Sequence, residues 1–314
     1  MIKVDASANP SKNPDLRRLD GAVRQPRLRP FRGAVVTLPR PDASFHWTSE
    51  VWGDALRCHG IEAAAQHLFT SKQLALPGDA AWRAALASVG STPDRLMRVK
   101  QVHGNAVRVL KRGEVAEGAN SIRPDADAIV SNEPGLALAV MVADCVPVLV
   151  CDAMRGAAAS IHAGWRGTCA RIAQTAVEPM QREFGSDPAD LIAAIGPSAG
   201  PDDYEVGESL IEAFLAAGHD RDDVDRWFIQ TGARPHLDLW SANRDQMIRA
   251  GIRGANIGVC GLSTISRPDI FDSYRVDGER AGRMAAIIVV PTSAKASASA
   301  KATADKSVGR PTPA

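Results

Sequence analysis

The sequence predicts a mixed α/β fold, a single domain of mixed β-sheets covered by helices. Three observations predict it: near-continuous apolar runs of strand length, intervening segments with apolar residues at helical spacing, and a composition typical of globular proteins. The chain has 314 residues, of which 45% are hydrophobic and 23% charged, with 5 Cys and 7 His. This composition excludes collagen-like, disulfide-scaffold and wholly disordered chains.

The individual elements follow from these patterns. Apolar runs bounded by Asp, Pro or Gly are typical of strands buried on both faces, and they predict strands at 96–101, 106–110, 136–142, 146–151, 157–161, 191–195 and 285–290. Helical spacing predicts helices at 80–89, 207–217 and 241–250, while residues 61–68 are interpreted as a short helix or a lead-in to the domain. A further helix is expected after Thr168, its predicted N-cap, and Pro179 should kink or split it.

The two ends of the chain differ from its middle in composition and charge. Residues 1–40 carry a net charge of +6 and residues 292–314 one of +3, which leaves −8 for residues 41–291. Both ends have little to bury, so we expect disordered N- and C-terminal extensions around one catalytic domain at 41–291. Because that domain is acidic, a nucleic-acid partner is not expected, and the basic ends are interpreted as solvated tails.

The sequence also indicates a compartment. No apolar run approaches the roughly 20 residues of a membrane-spanning helix, and residues 1–10 lack the pattern of a signal peptide. The odd number of dispersed cysteines indicates a reducing environment. We therefore expect a cytoplasmic protein without a membrane partner, and its oligomeric state stays open.

Residues with metal-binding or catalytic side chains stand at the ends of three predicted strands. His103 precedes Gly104, which permits a tight turn. Asp144 and Cys145 interrupt two apolar runs, where an acid needs a partner or a chemical role. His162 ends a strand of small residues. Each could be structural by itself, but strands of one sheet bring such ends together.

The loop after His162 has the features of an anion site. Gly164 and Gly167 frame Trp165 and Arg166 just before a predicted helix, so loop amides and a guanidinium could face a phosphate or carboxylate. The alternative is an ordinary strand-to-helix turn whose glycines serve the backbone.

Two His and one Cys suit a tetrahedral zinc whose fourth position is open, the arrangement of catalytic sites. The interval of 17 residues between Cys145 and His162 excludes a zinc-finger signature, so the fold would have to assemble the site. Two alternatives remain. Cys145 and His162 could be the nucleophile and base of a cysteine hydrolase or amidase, or the metal could be a structural staple in a non-enzymatic protein.

Several motifs occur together in a familiar order. They are Gln101-Val-His-Gly, Ala126-Asp-Ala-Ile-Val, Ala143-Asp-Cys-Val-Pro-Val, His162-Ala-Gly-Trp-Arg-Gly, Ala194-Ile-Gly-Pro-Ser, Tyr204-Glu-Val-Gly, Leu237-Asp-Leu-Trp and Phe271-Asp-Ser-Tyr-Arg. As an ordered set, over about residues 66–290, they resemble the polyphenol oxidase (laccase-domain) family, whose members are described as zinc-dependent purine nucleoside phosphorylases.

The resemblance implies phosphorolysis of adenosine, inosine, guanosine and methylthioadenosine, together with adenosine deamination. It implies zinc held by His103, Cys145 and His162. Arg166, with Lys72, would hold phosphate, and Asp144 would steer protons or position the nucleophile.

Substrate contacts are expected from three further residues. Gln101 belongs to the first motif, and Trp165 and Tyr204 could stack on the purine, with packing as their alternative role. For the cysteine hydrolase alternative, some family members have been linked to removing wrong amino acids from cell-wall precursors.

Two observations qualify the resemblance. The family's glycine-rich loop is replaced by a short segment here, and Lys72 stands where members carry Arg, which keeps the charge but loses bidentate geometry. Multicopper oxidases use His-x-His pairs, and no two of the seven His stand two residues apart. Zinc is therefore the expected metal, although the same site could bind Cu²⁺ in vitro.

Overall fold

The computed structural model describes residues 37–114 and 123–292, which form fourteen strands and eight helices. The strands are β1 (Phe45–Glu50), β2 (Gly53–Cys58), β3 (His67–Thr70), β4 (Leu96–Met97), β5 (Val107–Leu110), β6 (Ala128–Ser131), β7 (Ala137–Val142), β8 (Val146–Asp152), β9 (Ala157–Ala163), β10 (Ile192–Ile195), β11 (Phe228–Thr231), β12 (Arg234–Leu237), β13 (Ile257–Val259) and β14 (Met284–Val289). The helices are α1 (His59–Glu62), α2 (Asp79–Ala87), α3 (Trp165–Cys169), α4 (Ile172–Phe184), α5 (Ser209–Ala216), α6 (Arg221–Trp227), α7 (Leu239–Arg249) and α8 (Tyr274–Asp277).

The strands form two six-stranded sheets and one hairpin. The first sheet has the order β1-β2-β3-β14-β7-β4 and the second β13-β10-β8-β9-β6-β5, while β11 pairs with β12. Most neighbours are antiparallel, and the pairs β4–β7, β5–β6 and β10–β13 are parallel. Both sheets are therefore mixed.

The alternation of side chains along each strand explains the layers. In β7, Leu138 and Val140 belong to a core shared with residues of the second sheet, whereas Ala137 and Ala139 belong to a core with α2. In β8, Leu149 joins the shared core, and its outward neighbours pack with α4 and α7. A strand with both faces covered needs apolar residues throughout, which is why these segments read as continuous apolar runs.

The predicted fold class is confirmed: two packed sheets are covered on their outer faces by helices. The extensions predicted at 1–40 and 292–314 lie outside the described residues, apart from residues 37–40 and 292. In residues 37–114 and 123–292, no helix is long and apolar enough to cross a bilayer.

The structure differs from the sequence predictions near the first sheet's edge. Residues 61–68, interpreted as a short helix or a lead-in, contain only the end of the single turn α1 and the start of β3. The hairpin of β1 and β2 was not predicted, because an edge strand with polar residues on one side lacks the continuous apolar signal.

The N-cap predicted for the helix after β9 is wrong, and the helix is not split. Thr168 lies inside α3, and α4 begins after Arg171, whose φ of 61° is left-handed. The Thr168 hydroxyl caps no helix and instead accepts a hydrogen bond from Asn243 Nδ2 at 3.0 Å. Pro179 is buried within α4 and does not split it, since the packing of its apolar face compensates for one lost backbone bond.

Candidate metal centre and substrate cavity

The pairing of three strands in the second sheet creates the candidate metal centre. In the antiparallel ladder of β8 and β9, Pro147 lies opposite His162, so Cys145, just before β8, comes beside the end of β9. On the other side of β9, Ala128 pairs with Ile161, and the His162 amide donates to the Asp127 carbonyl at 2.7 Å. Strand ends that are distant in sequence thus meet at one edge.

Asp127 organises this edge through one fully buried carboxylate. The amides of Val102, His103 and Gly104 donate to its oxygens at 3.3, 2.9 and 2.7 Å. His162 Nδ1 lies 2.8 Å from Asp127 Oδ1 and acts as the donor, which leaves Nε2 available as a ligand. One carboxylate therefore fixes both the His103 loop and the orientation of the His162 ring.

The His103 turn is built differently from the expectation. His103 itself adopts the left-handed conformation, with φ of 61°, while Gly104 has no positive φ. The three amide donors to Asp127 stabilise this strained turn.

His103, Cys145 and His162 offer ligand atoms that all lie within 4.8 Å of one another. Burial alone would raise the pKa of the Cys145 thiol, but hydrogen bonds and charge from the two His lower it to about 6. Burial alone would lower the pKa of His162, but hydrogen bonds with Asp127 and Cys145 raise it to about 9. The site therefore favours a thiolate, the form that binds metals and acts as a nucleophile.

Gly164 is required by the closeness of these groups. A Cβ at this position would lie 2.8 Å from Cys145 Sγ and 3.3 Å from His103 Cδ2. Gly167 is similarly crowded, because a Cβ there would lie 3.0 Å from the Gly104 carbonyl oxygen. The two glycines allow the loop at 164–167 to pack closely against His103, Cys145 and His162, which are called the trio below.

The donor set fits a metal ion. It combines one thiolate with two imidazoles at compatible separations, and Asp127 supplies the outer hydrogen bond that usually orients a ligating His. The site is a possible His/Cys metal centre of the protein.

The trio opens into a cavity of about 1180 Å³. Among the Lys, Arg, Asp and Glu side chains of the described residues that line it, five carry positive charge and one, Asp144, carries negative charge. The cations are Lys100, Arg123, Arg166, Arg275 and Arg283. This wall suits an anionic ligand such as phosphate.

Asp144 lies in the cavity wall, but both of its carboxylate oxygens already accept hydrogen bonds. Thr264 Oγ1 donates to one and the Arg275 amide to the other, each at 2.6 Å. Asp144 has a left-handed φ of 81°, so the chain turns sharply just before Cys145. Its observed contacts fix α8 and the start of β8.

The other predicted contact residues divide into two groups. Gln101, Trp165, Arg166 and Tyr204 line the cavity. The Gln101 amide also exchanges two hydrogen bonds with the Met141 backbone, at 2.7 and 2.8 Å, so its polar atoms extend the sheet. Arg166 is exposed and its guanidinium lies 4.3 Å from the centroid of Trp165.

Lys72 is not among the residues that line the cavity; its ammonium donates to the Pro268 carbonyl. Arg275 occupies the cavity instead, with its guanidinium 5.0 Å from the ring of Tyr204. Sequence reasoning missed Arg275 and Asp127. The available signal for Asp127 was an acid directly before an apolar strand, the same signal that selected Asp144.

Comparison with known proteins identifies the family. Residues 79–291 match the sequence model described as multi-copper polyphenol oxidoreductase laccase. The chain belongs to this family, which confirms the resemblance. The name does not decide the metal, and the centre described above is a single His/Cys cluster.

Two relatives carry enzymatic names. A protein of Bacteroides thetaiotaomicron named purine nucleoside phosphorylase is 41% identical over 164 residues, which are 52% of this chain and 60% of that protein. A protein of an unknown prokaryote named adenosine deaminase RL5 is 37% identical over 172 residues, 54% of this chain and 65% of that protein. Each match thus spans less than two thirds of the relative.

A solved structure supports the fold. The crystal structure of YlmD from Geobacillus stearothermophilus superimposes with a TM-score of 0.69 at 28% identity, covering 78% of this chain and 99% of that one.

Proposed function

We propose that the protein is a zinc-dependent purine nucleoside phosphorylase that also deaminates adenosine. Its substrates would be phosphate with adenosine, inosine, guanosine or methylthioadenosine. The single observation that carries the proposal is the convergence of His103, Cys145 and His162 at the floor of a cationic cavity. The names of the two relatives support the same reactions.

His103, Cys145 and His162 would hold the zinc. When bound, zinc supplies Lewis-acid chemistry that orients and activates a nucleophile. Asp127 keeps His162 in the tautomer that presents Nε2 to the metal. Copper could occupy the same site in vitro, because the Irving–Williams order favours Cu²⁺ over Zn²⁺.

Phosphorolysis needs a held phosphate and a held purine. Phosphate attacks C1′ of the ribose, the C1′–N9 bond breaks, and the purine leaves with the bonding electron pair. Arg166 and Arg275 line the cavity and would hold phosphate, and Trp165 and Tyr204, which also line it, would stack on the base. Lys72, whose ammonium donates to the Pro268 carbonyl, would hold phosphate only after that hydrogen bond is exchanged.

Asp144 would act by positioning Arg275 at the cavity. Through its bond to the Arg275 amide it holds α8, and with it Arg275, against the cavity. Its place beside Cys145 is also consistent with steering a proton, provided that the Thr264 bond is exchanged. Deamination would add water at C6 of adenosine in the same cavity, break the C6–N bond to the amino group and release ammonia. The free thiols, Cys145 among them, fit a cytoplasmic enzyme.

The decisive experiment pairs zinc stoichiometry with phosphate-dependent cleavage of inosine and adenosine. We expect about one tightly bound zinc for the cavity site and release of free base only with phosphate. Cys145→Ala should lose both that zinc and turnover, whereas Cys169→Ser, a matched change at a half-buried cysteine outside the trio, should keep both. Turnover by a metal-free Cys145→Ala protein would contradict the proposal.

One observation favours a second candidate, a cysteine hydrolase or amidase. Cys145, His162 and Asp127 stand in the order of a nucleophile, a base and the group that orients the base. This candidate predicts that zinc-free protein hydrolyses amides, for example in cell-wall precursors, and that Cys145 is alkylated rapidly. Zinc that protects Cys145 from alkylation while turnover persists would exclude it. Chelation distinguishes a purely structural metal from a catalytic one. Removal of a structural metal would unfold the protein.

A further inference from the structure

A second cluster of ligand-type side chains lies away from the cavity, at the edge of the first sheet. β1 and β2 are antiparallel with Phe45 opposite Cys58, so the start of β1 lies beside the end of β2. The chain passes directly from β2 into α1, and the His59 amide donates to the Ser44 carbonyl at 2.9 Å. These backbone contacts place His46 against His59.

Glu62 completes the cluster because it lies three residues after His59, on the same face of α1. The His46 and His59 rings are stacked, with centroids 4.3 Å apart and planes 12° apart. Glu62 Oε1 lies 3.4 Å from His46 Nε2, and Oε2 lies 3.6 Å from His59 Nδ1. One oxygen of the Glu62 carboxylate therefore lies near each of the two rings.

These separations match a metal site better than a hydrogen-bonded one. Both exceed the 2.7–3.2 Å of a well-formed N–H···O bond. Two ligands bound at about 2.0–2.1 Å to one tetrahedral zinc lie about 3.3 Å apart. All three ligand atoms lie within 4.8 Å of one another. Because the two rings are stacked nearly parallel, the exposed His59 ring has to turn out of the stack before its nitrogen lone pair points to the same ion as that of His46.

We propose that His46, His59 and Glu62 form a second metal site, which takes Zn²⁺ or another divalent transition ion and joins β1 to α1. Two imidazoles and one carboxylate are ligands that zinc, nickel and copper accept, and hard ions such as Mg²⁺ and Ca²⁺ prefer all-oxygen sites. Solvent supplies the remaining ligands, because the cluster is at the surface. The site is independent of the proposed function.

The second site should bind more weakly than the cavity site. In the cavity, Asp127 orients His162. By contrast, His46 Nδ1 is buried and finds no hydrogen-bond partner among the described residues. A metal on Nε2 leaves the proton on this unsupported Nδ1, and missing outer hydrogen bonds typically cost 10–100-fold in metal affinity. We therefore expect a dissociation constant at least tenfold weaker than in the cavity.

Titration of the metal-free full-length protein with Co²⁺ tests the proposal. One bound equivalent should develop a thiolate-to-cobalt charge-transfer band from Cys145, and a second, weaker equivalent should bind without it. His59→Gln should lose only the second equivalent. Glu62→Gln should weaken it at least tenfold. Cys145→Ser should lose the band and retain the weaker equivalent, so failure of the cavity site and failure of this one are separable.

His236→Gln is the matched control, since His236 lies outside both clusters and contacts the Pro201 carbonyl. It should bind both equivalents like the unmodified chain. Far-UV circular dichroism verifies that each variant folds. Because His59→Gln and Glu62→Gln change different ligands, the test still works if one of the two variants does not fold. A single equivalent in the unmodified chain, or a second equivalent that persists in His59→Gln, overturns the proposal.

Discussion

Two buried histidines, one in each large sheet, are driven to opposite charge states by their neighbours. His162 is the penultimate residue of β9 in the second sheet, and its Nδ1 lies 2.8 Å from Asp127 Oδ1. Although burial alone would lower its pKa, hydrogen bonds with Asp127 and Cys145 raise the pKa to about 9. In the metal-free protein this ring favours its charged form.

His67 begins β3 in the first sheet and is fully buried. Its Nε2 accepts from the Cys58 amide at 2.7 Å, and its Nδ1 lies 3.3 Å from the Ala65 carbonyl. Burial lowers its pKa to about 3. Burial alone therefore does not decide the charge of a histidine. A carboxylate and a thiol stabilise the proton, whereas a backbone amide that donates to the ring opposes it.

The largest expected effect tests the His67 side of this comparison. The unfolded chain binds a proton at His67 below about pH 6.5, but the folded protein does not until about pH 3. Stability from this group is therefore full above pH 6.5 and decreases as the pH falls toward 3, by up to about 1.4 kcal/mol per pH unit. Urea unfolding at successive pH values measures the slope.

His67→Gln supplies the control, because an amide side chain does not titrate. The variant should be less stable at neutral pH, yet its stability should depend less on pH between 6.5 and 3. If both proteins show the same slope, His67 is not the neutral, buried group described here.

The next effect tests the His162 side. Asp127→Asn places an amide donor against the donors of the 102–104 turn or of His162, so the cavity site should lose 10–100-fold in metal affinity. Competition with a chelator measures this loss independently of turnover. Asp125→Asn, at an exposed position paired with Lys100, is the control. Equal affinities in the two variants would show that Asp127 does not organise the site.

The degree of burial of each strand explains which parts of the fold the sequence could predict. The runs at 136–142, 146–151 and 157–161 became β7, β8 and β9 nearly as predicted, because both faces of these strands are covered. The hairpin of β1 and β2 was missed because one of its strands is an edge, where polar residues are tolerated. Periodicity reports burial, and it is therefore weakest where burial is partial.

The site was predictable as a set of residues and less so as a set of contacts. Cys145 and His162 meet because neighbouring strands end at one edge, as the apolar runs before and after them predict. Asp127 was missed because its function is to accept from a turn 24 residues away in sequence, a contact that only strand pairing creates. Lys72 does not line the cavity, and its ammonium donates to the Pro268 carbonyl.

A smaller effect is expected from crowding the metal centre without changing its charges. Gly164→Ala places a methyl group 2.8 Å from Cys145 Sγ, and such overpacking typically costs about 1–3 kcal/mol. The free energy of unfolding, measured with urea, and the metal affinity should both be lower than in Gly207→Ala. In that control the nearest atom to the added methyl lies 3.6 Å away. A Gly164→Ala protein with unchanged zinc affinity would show that the loop can move away from the trio.

The smallest effect is expected where the site is exposed. Arg166 is open to solvent, so its contribution to holding phosphate should resemble that of a surface ion pair, about 0.2–1 kcal/mol, or up to about fivefold in KM. Under the proposed function, Arg166→Gln should raise the KM for phosphate and leave adenosine deamination unchanged, because deamination consumes water and no phosphate. Arg182→Gln, an exposed arginine paired with Glu183, should change neither reaction. Equal losses in both reactions would instead assign Arg166 to the purine or to the Trp165 stack, where its guanidinium already lies.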